Sequence, residues 1–185
     1  MHLLPLAASV FTLLILPGPT NAILAIASQG LTSRRAIMVL ATVVFAYLAI
    51  VLSVSGLAAP ILRDHPAISQ AVKLASATWV FYLALRLWGV GSSPVTVVRI
   101  RQLALTTLLN PKGFIIGLTI IPPAQKASSI AIVAVLASTV FLASAVWLSM
   151  GRIVLGGEKQ IPLFARRFSS ATLFIFSAAL TVSAF

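Results

Sequence analysis

The feature that most constrains this chain is a recurring length. Six times, about 20 residues pass with hardly a charge, which is the length a helix needs to cross the hydrocarbon core of a bilayer. The six candidate segments are 3–28, 36–59, 67–90, 100–121, 129–150 and 168–185. Short polar connectors separate them, among them "QGLTSRR", "LRDHP" and "PPAQKAS". Hydrophobic residues make up 60% of the 185, and charged ones only 8%. A soluble domain carries roughly 25% charged residues, so this chain could not cover its own surface in water. The expected fold is an all-α integral membrane protein, one domain over residues 1–185, with six transmembrane helices.

The charge is one-sided. Thirteen Lys and Arg face only Asp64 and Glu158, a formal net charge of +11. Such an excess can mark a nucleic-acid binder. Here the basic residues are dispersed between apolar runs and form no stripe with interleaved aromatics, so no nucleic-acid partner is expected. They read instead as charges that orient spans and meet the headgroups of membrane lipids. Connectors one, three and five hold Arg34, Arg35, Arg86, Arg99, Arg101, Arg152, Lys159, Arg166 and Arg167, nine in all. Connectors two and four hold two, Arg63 and Lys126. Nine against two puts the odd connectors in the cytoplasm and both termini outside. The first segment has a weak n-region, "MH", and prolines inside its apolar core, so it reads as a retained span and not as a cleaved leader.

Several chemistries lack their residues. There is no cysteine, which removes disulfides and thiolate chemistry. His2 and His65 both fall near expected membrane edges, so no metal site is expected, and no cofactor. Serines in the spans have no histidine or aspartate beside them in the membrane to activate them, which argues against an enzyme and a catalytic site.

Two of the six segments are broken. Pro17, Gly18 and Pro19 interrupt the first in "LPGPTN", and Pro111 interrupts the fourth in "NPKG". Proline lacks an N–H and clashes with the preceding turn. The carbonyls it frees must face a partner helix, a cavity or a ligand, because lipid cannot satisfy them. Gly18 allows close approach or an unusual dihedral. Thr20 and Asn21 add polar groups after one break, and Asn110 and Lys112 flank the other. Breaks in segments one and four divide the chain into two three-helix units, whose odd helix count implies opposite orientations. Matched interrupted helices point to a transporter site. Lys112 is a mid-span charge, expensive unless a cavity or partner receives it. Tyr82 has a hydroxyl to satisfy and joins the candidate list. Trp79, Trp88 and Trp147 read as packing and interface anchors. "GFIIG" at Gly113 to Gly117 has the spacing for close helix contact within one chain, and a homo-oligomer stays open.

"PGPTN" at Pro17 to Asn21 and "NPKG" at Asn110 to Gly113 resemble the two signatures of the LysE/RhtB superfamily of amino-acid exporters. "SGLAAP" at Ser55 to Pro60 and "VKLASATWVFYLALRLW" at Val72 to Trp88 are similar to that family too. The resemblance covers nearly the whole chain. It implies a secondary transporter in the bacterial inner membrane that exports amino acids or close derivatives, driven by the proton gradient. Its motif positions fall on Pro17, Gly18, Pro19, Asn21, Asn110, Pro111 and Lys112. Segment two departs from the pattern: "MVLATVVFAYLA" stands where family members have glycines and often an acidic residue, and Ala84 stands where a glycine is common.

The expected cargo is therefore an amino-acid-like small solute. Lys112 or a half-helix N-terminus would receive its carboxylate, and carbonyls freed at Pro17, Pro19 and Pro111 its ammonium. Asn21, Asn110 and Thr20 would fix its orientation. The competing reading is an accessory membrane protein whose broken helices only shape an assembly interface.

Overall fold

The structure, a computed structural model, describes residues 3–29, 31–58, 64–89, 98–121, 130–154 and 163–182. His2, Pro60, Glu158 and the basic connector residues Arg63, Lys126 and Lys159 lie outside the described residues.

Every regular element among the described residues is helical. Helix α1 runs over Leu3–Ile15 and α2 over Pro19–Ala27. Between them the chain turns by 70°. Pro19 opens α2 at its first turn, where a missing N–H costs nothing. Helix α3, Ser33–Ser53, starts on Thr32, whose hydroxyl accepts from the Arg35 amide. It runs on into a π-helical turn at Val54–Ala58. Helix α4 spans Pro66–Gly89. Helices α5, Ile100–Leu108, and α6, Pro111–Ile115, form the second bent pair, and a π turn at Ile116–Ile120 continues α6. Their bend is 42°. Helix α7, Ile130–Val154, and α8, Leu163–Val182, complete the bundle.

Three helices are long and apolar enough to cross a membrane, or five if each bent pair counts as one span. The segment expected at 168–185 begins earlier, at Leu163, and its apolar stretch from Arg167 to Val182 is shorter than the others. The surface supports the same reading. Phe45, Ile130, Ile153 and Ile175 are largely exposed, while Thr20, Asn21, Thr107, Asn110 and Lys112 are buried. A water-soluble domain buries the first set and exposes the second. The distribution fits a multi-pass helical membrane protein.

The packing follows a rule. The α1–α2 pair lies chiefly on α7, and the α5–α6 pair on α3. Helix α3 also packs on α7, and α4 on α8. Exchanging the first three segments for the last three leaves this pattern unchanged. Segments three and six run antiparallel. Ser170 donates to the Ala84 carbonyl at 2.7 Å and Ser177 to the Ala77 carbonyl at 2.9 Å, so α8 descends as α4 ascends. Ala84 is fully buried at that contact, which requires a small residue. Arg35 donates to the Val98 carbonyl at 3.2 Å, so the start of α3 and the start of α5 share one face of the bundle.

Glycines mark the closest helix contacts. A Cβ on Gly117 would lie 2.8 Å from the Val54 Cβ and 3.0 Å from the Val51 carbonyl. A Cβ on Gly113 would lie 2.7 Å from Ile50 Cγ2. "GFIIG" thus seats the fourth segment on α3 within one chain.

Candidate functional site at the paired helix breaks

The two breaks meet. The ammonium of Lys112 donates to the Leu16 carbonyl, the last before Pro17. Asn110 Nδ2 donates to Thr20 Oγ1 at 2.8 Å and to the Tyr47 hydroxyl at 2.9 Å. Thr20 in turn donates to Thr107 Oγ1 at 3.4 Å. Lys112 is only 3% exposed and Asn110 1%, so these groups sit in the interior and do not snorkel.

Local chemistry sets each piece in place. Asn110 caps α6: its Oδ1 accepts from the Lys112 amide at 3.1 Å, which leaves its amide NH₂ free to point across the break. Pro111 follows at the first helical position. On the other side, Gly18 has φ of −177°, extended backbone open to any residue. Its small size makes room for the end of the Lys112 side chain, and no unusual dihedral calls for glycine. A Cβ there would lie 3.1 Å from both Cε and Nζ of Lys112.

Three carbonyls at the end of α1, those of Leu14, Ile15 and Leu16, are taken. Asn21 Nδ2 donates to Leu14 at 2.8 Å and to Leu16 at 2.7 Å. Trp147 Nε1 donates to Ile15 at 3.2 Å. Lys112 adds a second donor to Leu16. Three consecutive carbonyls are thus satisfied by side chains from three different segments, as an apolar surrounding demands. The expectation that carbonyls freed near Pro17 stand open for a cargo's ammonium changes accordingly: in this conformation Asn21, Lys112 and Trp147 occupy them.

Of the residues singled out in the sequence, Pro17, Gly18, Pro19, Thr20, Asn21, Asn110, Pro111 and Lys112 converge here. Tyr82 does not. It is 49% exposed and lies against Trp79, ring centroids 5.6 Å apart, in a separate cleft beside Arg86. Tyr47 and Trp147 are the members that sequence reasoning missed. Tyr47 sits in α3, a stretch with no proline or glycine to draw notice, and Trp147 read as a packing or interface anchor. Trp79 likewise bonds inward, donating to Thr106 at 3.2 Å. Trp88, 55% exposed beneath Arg167, fits the anchor reading.

An apolar cavity of about 250 Å³ adjoins the first break, lined by Pro17, Gly18, Ala22, Trp147 and Phe168 among others. It is smaller than the roughly 300–1,000 Å³ of most ligand pockets, and of a size for a small solute. Among the described residues no group of His, Cys, Asp or Glu could hold a metal. A buried cation with no acidic neighbour in the cluster favours an arriving anion.

Tyr47→Phe tests the cluster. It removes one acceptor from a buried amide and should cost about 1 kcal/mol, read as a fall in thermal midpoint in detergent. An unchanged midpoint would show that the bond contributes nothing.

No family model matches this chain, and neither a curated protein nor a solved structure matches it.

Proposed function

We propose that the protein is a secondary transporter that exports amino acids or closely related small solutes across the bacterial inner membrane, driven by the proton gradient. The observation that carries this reading is Lys112, a buried cation at the meeting point of two proline breaks. A solute's carboxylate would take the ammonium from the Leu16 carbonyl, and Asn21 would keep that carbonyl satisfied. The amide of Asn110, on leaving Thr20 or Tyr47, and the hydroxyl of Thr20 would orient the solute. In this reading the chain has six spans in two inverted three-helix units, with both termini outside. The antiparallel pairing of segments three and six supports the inversion. The resemblance of "PGPTN" and "NPKG" to the exporter signatures supports the cargo class. Efflux of a panel of labelled amino acids from cells expressing the chain, with and without a protonophore, is the test. Expected is faster, protonophore-sensitive efflux of at least one. No acceleration across the panel counts against the proposal.

One observation favours the alternative of an accessory protein. The freed carbonyls at Leu14, Ile15 and Leu16 already have partners, so the break needs no solute to be stable. That reading expects unchanged efflux and stoichiometric co-purification of a membrane partner.

A further inference from the structure

A second cleft lies between α4 and α5, away from the helix breaks. Its volume is about 500 Å³. Arg86, Arg99 and Arg101 line its mouth, and Tyr82, Trp79 and Leu105 its depth. The three arginines are exposed. Arg86 is in the last turn of α4, and Arg99 and Arg101 flank the start of α5, so all three sit at one end of the bundle. Along α4, Tyr82 is about one turn further in and Trp79 about two.

Among the described residues no carboxylate answers the charges in this cleft. Arg86 reaches only Gln102 Oε1, a neutral acceptor at 3.4 Å. Residues 90–97, which join α4 to α5 in the sequence, read "VGSSPVTV" and hold no acid. Asp64 is at the opposite end of α4. Glu158 is the only other acid in the chain, and one carboxylate would leave two of three guanidiniums unmatched. The amino-terminal end of α5 adds its own partial positive charge. Three like charges held at one mouth repel one another, and an external anion relieves that.

We propose that this cleft binds the headgroup of an anionic phospholipid. The vertical order of the lining is the argument for lipid over a soluble ion. Guanidiniums, which pair with phosphate oxygens two bonds at a time, stand at the rim. Below them Tyr82 and Leu105 are exposed and offer an apolar wall, and Leu85, three residues from Tyr82 on α4, is exposed beside it, where an acyl chain would lie. Arginine with tryptophan and tyrosine is also the chemistry of the membrane interface. The inference does not depend on transport.

The test is native mass spectrometry of the full chain, purified from micelles holding equal phosphatidylglycerol and phosphatidylcholine of the same acyl chains. Each arginine near an anionic surface contributes about five-fold in binding, so phosphatidylglycerol should be retained at least ~10-fold over phosphatidylcholine. R86Q/R99Q/R101Q should abolish that preference. R34Q/R152Q/R167Q, which removes the same charge outside the cleft, should keep it. Arg101→Gln alone should give a partial loss if the triple variant does not fold. Equal retention of the two lipids by the wild-type chain, or equal loss in both triple variants, overturns the site. Displacement of phosphatidylglycerol by inorganic phosphate would assign the cleft to a soluble phosphate and overturn the lipid. Retention in its presence supports the lipid.

Discussion

Lys112→Ala is expected to reduce export by about 10- to 100-fold while leaving insertion and thermal stability close to wild type. The magnitude is that of a hydrogen bond to a charged group, about 1.5–3 kcal/mol, expressed as a rate. The stability half of the prediction follows from the geometry. Asn21 Nδ2 also donates to the Leu16 carbonyl, at 2.7 Å, so losing the ammonium strands no acceptor. Losing a buried charge from an apolar helix otherwise favours insertion. Lys112→Arg should retain part of the activity, because the charge remains but the planar guanidinium differs in shape and reach. Gly18→Ala gives an independent push on the same atom: the new methyl would crowd Nζ from 3.1 Å, and the flexible lysine end can retreat only by leaving its place. Transport by the Lys112→Ala protein at the wild-type rate across all cargo concentrations would remove Lys112 from the mechanism.

Gly151→Ala should prevent the bundle from closing. A Cβ at that position would fall 2.4 Å from the Ala25 carbonyl oxygen and 2.5 Å from its Cα. These are backbone atoms and cannot rotate away, so α2 and α7 would have to separate along a main contact of the fold. The cost should reach or exceed the ~1–3 kcal/mol of ordinary overpacking. Gly89→Ala is the control, since nothing lies within 4 Å of its added methyl and alanine is the better helix former. Size-exclusion profiles and thermal midpoints in detergent give the comparison. A Gly151→Ala protein as stable as wild type would mean that the two helices are not held this closely.

Much of this was legible in the sequence, for a physical reason. Apolar length and proline position are local properties, so 67–90 anticipates Pro66–Gly89 and 100–121 anticipates the bent pair through Ile120 almost to the residue. The identity of the break residues was equally local. What joins them was not. Tyr47 reaches Asn110 over 63 residues and Trp147 reaches Ile15 over 132, and neither carries a mark that its polar atom faces inward. An aromatic in a membrane segment reads the same whether it anchors at a headgroup or caps a carbonyl. Tyr82 lies away from the breaks and is half exposed, because the face of α4 that packs on α8 is set by Ala77 and Ala84.

The shared care of the three α1 carbonyls sets an order in time. Asn21 lies five and seven residues from the carbonyls it caps, so it can serve them as soon as the first segment is made. Lys112 arrives 96 residues after Leu16, and Trp147 comes 132 after Ile15. At about 5–20 residues per second of synthesis, the Ile15 carbonyl waits on the order of ten seconds for its donor. Through that interval the first segment lacks both that donor and its main packing surface, α7. The nascent chain is thus most exposed to misassembly before its fifth segment emerges, and Asn21 alone guards the break until the fourth segment brings Lys112.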